Sequence, residues 1–185
     1  MKKIIKILII GLLLIPLNVF AKEEVTLSKC VDGDTAKLVV KNKVRTVRFL
    51  AVDTPESVHP KKKVEPYGKE ASSYTCKKLE NAKTIEIEYD NNSTKTDKYD
   101  RILAWIFVDD ELLQKDLVRN GYAKVAYLYG DYKYTDILKD EENIAKNKKL
   151  RIWSANTTSS EEDDDIVEKS IESFIKIIKK LLKSL

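Results

Sequence analysis

One histidine and two cysteines in 185 residues narrow the chemistry open to this chain. His59 stands alone in "HPKKK" and reads as a loop residue rather than a catalyst. Cys30 and Cys76 have no cysteine or histidine near them, so a thiolate or imidazole metal site is a poor fit. Their spacing leaves open whether they pair with each other. Neither sign of charge dominates, with 34 Lys and Arg against 30 Asp and Glu. There is no internal repeat. The long apolar run that opens the chain differs in composition from the remainder.

That opening, "MKKIIKILIIGLLLIPLNVFA", starts with Lys2, Lys3 and Lys6, continues apolar, and ends in small residues. The pattern is that of a signal peptide over residues 1–21, with cleavage expected after Ala21. The alternative is an uncleaved anchor, since Ile4 to Phe20 is nearly long enough to span a bilayer. No cysteine lies near the cut, which argues against a lipoprotein. A secreted or extracytoplasmic location is expected, and such a location tolerates a disulfide. Without the three leader lysines, 31 basic residues face 30 acidic ones. Residues 155–185 hold seven acids and five lysines, so residues 22–154 carry about +3. That mild excess permits an anionic partner without demanding one. A 43% apolar content supports a packed core, and 35% charged residues argue for a soluble body.

Five strands are predicted: "VTLSKCV", "AKLVV", "VRTVRFLAV", "TIEIEYD" and "RILAWIFV". On the third, Val44, Val47, Phe49 and Ala51 are read as facing roughly one way. Three helices are predicted from "EPYGKEASSYTCKKLENA", "LLQKDLVRNG" and "TDILKDEENIAKNKKL". In the first, Tyr67, Ala71, Tyr74 and Leu79 recur at helical spacing, and the second stops at Gly121. "AKVAYLY" is a short extended stretch, and Trp105 and Trp153 are expected in the core. Five strands with a helix between the third and fourth is the element order of an OB-fold barrel, an α+β class. The domain is expected over 22–154. Residues 155–165 form an acidic, flexible linker. Residues 166–185 form an amphipathic basic helix, for which peripheral contact with a membrane is expected.

"DGDT" and "DTPE" each end a strand. In a meander the two ends can meet, and Asp34 and Asp53 would then converge. Carboxylates held close repel and usually need a cation, and calcium suits carboxylate and backbone oxygens. Either motif alone is better read as an ordinary turn. Arg48 on the same strand and Arg101 after "TDKYD" change the balance, although most arginines form surface salt bridges. Guanidinium groups and a cation can neutralise charge on a phosphoryl group, and Glu56 can orient or activate water. Aromatics near lysines, such as Tyr127 and Tyr129, can stack on bases, whereas Tyr132 and Tyr134 are read as packing.

The motifs "VDGDTAKL", "VRFLAVDTPE", "HPKKKVEPYGKEAS", "TDKYDR", "LVRNGYAKVAYLY" and "RIWS" occur in an order and at a spacing that resembles the staphylococcal nuclease (thermonuclease) family, from about Val25 to Ser154. The resemblance implies an OB-fold enzyme that cleaves DNA and RNA with calcium and leaves 3′-phosphates. It implies Asp34 and Asp53 as calcium ligands through their carboxylates, and Thr54 through its backbone carbonyl. It assigns Arg48 and Arg101 to phosphate and transition-state contacts, and Glu56 to general-base or water-orienting work. Lys98, Tyr99, Tyr127 and Tyr129 match positions that line the nucleotide pocket. A monomer is expected. Asp100 departs from the pattern, since the family often has glycine there. Its added charge is expected to weaken Arg101 and reduce activity at most. The alternative reading is a non-catalytic module that binds nucleic acid or protein; such domains typically lack these acids and arginines.

Overall fold

The computed structural model describes residues 22–57 and 64–154. The predicted leader, His59 with the lysine-rich loop, the linker and the C-terminal helix lie outside the described residues. Chain order gives β1 (Glu23–Asp32), β2 (Thr35–Val40), β3 (Lys43–Phe49), a two-residue β4 (Val52–Asp53), β5 (Ile85–Glu88) and β6 (Ile102–Val108). All of these except β4 form the barrel. Antiparallel pairing runs β3-β2-β1-β5-β6, and a parallel pairing of β3 with β6 closes the ring. Closure leaves the barrel no open edge. The element order and closure are those of an OB-fold α+β domain, as the sequence predicts.

The strands arise from period-two patterning. Ala36, Leu38 and Val40 of β2 face inward, as do Val47 and Phe49 of β3. Lys41 and Asn42 both take positive φ, 49° and 62°, and make the two-residue hairpin between β2 and β3. β6 is buried along nearly its whole length because the barrel lies on one side and helices on the other. Trp105 is fully buried and meets the edge of Tyr134 at 5.1 Å.

Helix α1 (Gly68–Glu80) precedes β5. A short β7 (Glu111–Leu112) leads into α2 (Leu113–Arg119), and α3 (Thr135–Asn147) is succeeded by a 3-10 turn at Arg151–Trp153. Gln114 pins α2 to β6: its side-chain amide donates to the Ala104 carbonyl at 3.0 Å and accepts from Ile106 N–H at 3.1 Å. Gly121 stops α2 with φ 67°, and a Cβ there would lie 2.5 Å from the Leu150 carbonyl oxygen. Cys30 of β1 and Cys76 of α1 form a disulfide, with Cα atoms 5.5 Å apart, which answers the question their spacing left open.

Five expectations are corrected. The third strand does not run through to Val52. It ends at Phe49, and the chain bends at Leu50–Ala51, where Ala51 has φ 60°. Beyond the bend, β4 pairs with β8 (Lys124–Val125), and that two-residue β8 is all that is strand in "AKVAYLY". Val44 is 57% exposed, because it falls on the opposite parity from Val47 and Phe49. The buried stripe of α1 is Ala71, Thr75 and Leu79, with Tyr67 outside the helix in a left-handed conformation. Trp153 is half-buried on the 3-10 turn, with the Lys146 ammonium 4.6 Å above its ring, rather than in the core. Among the described residues no helix is long and apolar enough to cross a membrane.

Candidate active site

The bend after β3 builds one wall of a cleft. Arg48 leaves β3 and braces the bend from within, donating to the Val52 carbonyl at 2.9 Å and the Phe49 carbonyl at 3.2 Å. Its other terminal nitrogen, Nη2, lies 3.1 Å from Asp34 Oδ2 and 3.4 Å from Asp53 Oδ1. The two aspartates are therefore within reach of one guanidinium, although they are far apart in the chain. The two-residue turn Gly33–Asp34, between β1 and β2, supplies the first. The strand pair β4–β8 supplies the second.

Asp34 is buried. Its Oδ2 accepts from Thr54 N–H at 3.0 Å and the Thr54 hydroxyl at 3.2 Å, and its Oδ1 from the Thr35 hydroxyl at 2.9 Å. Burial pushes its carboxyl above the ordinary range, while the Arg48 charge and the Thr54 and Thr35 bonds pull the other way. Asp53 is more open, with Lys124 Nζ at 3.3 Å and the Tyr127 hydroxyl donating at 3.4 Å. Burial, then the Asp53 charge, raise the Tyr127 phenol.

The opposite wall is the turn from Asp97 to Arg101. Asp97 Oδ1 accepts the N–H groups of Tyr99 and Arg101, at 2.9 and 3.0 Å. Its Oδ2 holds Arg101 Nε at 2.7 Å and Nη2 at 2.6 Å. Burial alone would raise Asp97, but these bonds together outweigh it and hold the carboxyl below its ordinary value. Asp100 has φ 59°, the left-handed conformation that glycine adopts freely. Its carboxylate turns to Arg45 Nη2 at 3.3 Å, so the departure from glycine carries its own counter-charge while Arg101 stays with Asp97.

Asp34, Arg48, Asp53, Thr54, Glu56, Lys98, Tyr99, Arg101, Tyr127 and Tyr129 all line one cleft of about 960 Å³. Tyr99, Tyr127 and Tyr129 are 68%, 53% and 83% exposed, too open to be packing. Tyr132 is buried, and Tyr134 packs against the core. Glu56 rides the loop after β4, where its N–H donates to Glu65 Oε2 and its carbonyl accepts from Glu65 N–H. Sequence reasoning does not single out Asp97, Lys124 or Thr75. The signal for Asp97 is its placement four residues before Arg101, an acid and a base of opposite sign within one turn. The other two are single polar residues whose roles appear only in space.

The donor set suits a hard cation. Asp34 and Asp53 offer carboxylates, Thr54 a carbonyl, and Arg48 and Lys124 already stand as cations between and beside the two acids. Among the described residues the metal-like cluster of three thiol or carboxylate groups is Cys30, Cys76 and Glu80, and its sulfurs are consumed in the disulfide.

Fold and cleft together define an OB-fold barrel whose carboxylates, guanidiniums and open tyrosines face one groove. A family described as staphylococcal nuclease homologue matches residues 46–155, more than half of the chain. The chain belongs to that family. It is 44% identical over 134 residues to the SPbeta prophage-derived endonuclease YokF of Bacillus subtilis (strain 168), covering 72% of this chain and 45% of that protein. It is 44% identical over 131 residues to endonuclease YncB of the same organism, covering 70% of this chain and 61% of that one. The thermonuclease of Staphylococcus hyicus is 36% identical over 126 residues, 68% of this chain and 73% of that protein. The chain thus spans about half the length of the two Bacillus relatives.

Proposed function

We propose that this protein is a calcium-dependent nuclease that hydrolyses phosphodiester bonds of DNA and RNA and leaves 3′-phosphate ends. The observation that carries the reading is the gathering of all ten residues into one cleft, with Asp34 and Asp53 sharing Arg48. Asp34, Asp53 and the Thr54 carbonyl would hold calcium, which supplies positive charge to the phosphoryl oxygens when bound. Arg48 and Arg101 clamp the phosphoryl group and offset the charge that develops on it. Glu56 orients the attacking water and accepts its proton. The water oxygen bonds to phosphorus, the bond from phosphorus to the 5′-oxygen breaks, and that oxygen takes a proton from solvent. Tyr99, Tyr127 and Tyr129, with Lys98, seat the bases and backbone. The endonuclease and thermonuclease relatives support the reading. Export past the membrane, and a monomeric state, complete the proposal.

Purified protein incubated with single-stranded DNA and with RNA tests it directly. Cleavage to 3′-phosphate products in calcium, lost in chelator, is the expected result. Binding without any cleavage in calcium would favour the module reading instead, and full cleavage in chelator would remove the cation from the proposal.

A further inference from the structure

The turn that carries Asp34 is not held by a regular ladder. The β1–β2 register is broken between Leu27 and Lys29 and again between Cys30 and Asp32, so irregularities flank Cys30. β3 holds the turn on one side, where Phe49 N–H donates to the Asp34 carbonyl at 2.9 Å, and α1 holds it on the other. The buried Thr75 hydroxyl donates to the Gly33 carbonyl at 2.6 Å. One residue on, Cys76 is bonded to Cys30. Gly33 in turn presses on Thr54: a Cβ at Gly33 would lie 2.6 Å from the Thr54 hydroxyl oxygen. That same Thr54 holds Asp34 Oδ2 through its N–H and hydroxyl. Asp32, two residues after Cys30, accepts the Ser57 hydroxyl at 2.6 Å, so the loop carrying Glu56 hangs on the same turn. The foot of α1 touches that loop too, since a Cβ at Gly68 would lie 2.4 Å from the Glu56 carbonyl oxygen.

We propose that the Cys30–Cys76 disulfide and Thr75 form a two-point clamp by which α1 positions the Asp34 turn, so that cation binding and cleavage depend on the disulfide being closed. Thr75 and the two cysteines are positioning residues; none faces the reacting atoms. The inference rests on the nuclease reading for its consequence in cleavage. Opening the clamp is thiol–disulfide exchange: a dithiol reductant attacks one sulfur, forms a mixed disulfide, and resolves it, leaving Cys30 and Cys76 as thiols and the reductant as its own disulfide. Closure is the reverse, with two electrons and two protons passing to a disulfide oxidant. The domain is then weak where thiols are kept reduced and fully active where disulfides persist.

The test compares the oxidised protein, the dithiothreitol-reduced protein and the double variant Cys30→Ser/Cys76→Ser, each checked for folding by far-UV circular dichroism. Calcium affinity, initial cleavage rates and amide exchange at Gly33, Asp34 and Thr35 are measured. Loss of a group that supports a metal ligand from outside typically changes metal affinity or activity by about 10–100-fold. Reduction is therefore expected to weaken calcium binding and lower kcat by about tenfold or more and to speed exchange at the turn. Binding of a short single-stranded DNA in chelator should be unchanged, because Tyr99 and Tyr129 sit on other loops. The double variant should show the low values and ignore the reductant. In the oxidised protein, Thr75→Val should move the same way, with Thr75→Ser restoring it. Equal calcium affinity, rate and exchange in folded oxidised and reduced protein overturns the clamp. If reduction unfolds the chain, the Thr75 pair decides, and a Thr75→Val variant like the wild type overturns it. An oxidised protein that fails to cleave overturns the nuclease reading alone, since turn exchange still judges the clamp without substrate or cation.

Discussion

Asp34 sits where two demands conflict. Its oxygens receive donors from Thr35, Thr54 and Arg48, yet burial still sets the direction and raises its carboxyl above the ordinary 3.8. Arg48 is spread over two carboxylates and several carbonyls, so it cannot serve Asp34 in full. A group whose folded value is raised contributes its stability below the ordinary value and loses that contribution as pH rises through the folded one. Without a cation, deprotonation of Asp34 therefore costs the fold stability. Asp34→Asn is expected to unfold in chelator at a temperature no lower than the wild type at pH 7, while losing about two or more orders of magnitude in cleavage. A clear drop in unfolding temperature would show instead that the acid is a structural anchor. Arg48→Ala, Arg101→Ala and Glu56→Ala probe the groups proposed to meet the phosphate and the water, with turnover expected to fall by roughly two orders of magnitude or more each. Single-turnover rates on a DNA substrate check this, and three folded variants that cleave like the wild type would dissolve the assignment.

The turn from Asp97 to Arg101 acts as one element, since a single carboxylate fixes two backbone N–H groups and the guanidinium. Its lowered carboxyl contributes stability above the ordinary value and loses it as pH falls through the folded one. The wild type is thus expected to lose stability more steeply than Asp97→Asn below about pH 4, the ordinary carboxylate range. At neutral pH the variant should cleave about tenfold or more slowly because Arg101 is no longer held. Denaturant melts from neutral to acid pH, with parallel kcat measurements, read both effects, and parallel stability curves for the two proteins would remove Asp97 from its role. The elements themselves were legible where periodicity runs long: five strands, three helices and the Gly121 stop all emerge from residue patterns. The bend at Ala51 was not, because alanine at φ 60° has no signature in sequence and contacts with Arg48, Ala104 and Ala126 impose it. The pair β4–β8 is two residues long on each side, too short for any period to show. The motifs name ten residues that line one cleft, since each motif brings its own turn. Thr75, Lys124 and the disulfide escape such a reading because a pairing across 46 positions is written in packing rather than in spacing.

At the scale of the molecule the barrel is complete by Ser154: five strands close on themselves and α1, α2 and α3 cover them. Residues 166–185 follow that barrel in the chain and lie outside the described residues. Val167, Ile171, Phe174, Ile178, Leu181 and Leu185 recur at intervals of four and three, which would place them on one face of a helix. Lys169, Lys176, Lys179, Lys180 and Lys183 would fall on the other. An apolar face opposite lysines suits the surface of an anionic bilayer, where buried side chains and charge attraction add. Pairing between copies is the weaker reading, because the run is under three heptads and lacks opposite-charge flanks. We propose that residues 166–185 tether the domain reversibly to the membrane, with the acidic 155–165 stretch as the leash. A chain ending at Ser154 is expected to cleave DNA at the wild-type rate and to lose binding to vesicles of anionic phospholipid. The full mature chain should bind those vesicles at low ionic strength and release them as salt rises, since surface attraction falls off within a screening length of about 10 Å at 0.1 M. Co-sedimentation with vesicles across a salt series reads this directly. Absence of binding at low salt ends the tether proposal, and a concentration-dependent dimer in the same preparation would assign the apolar face to a second copy of the chain.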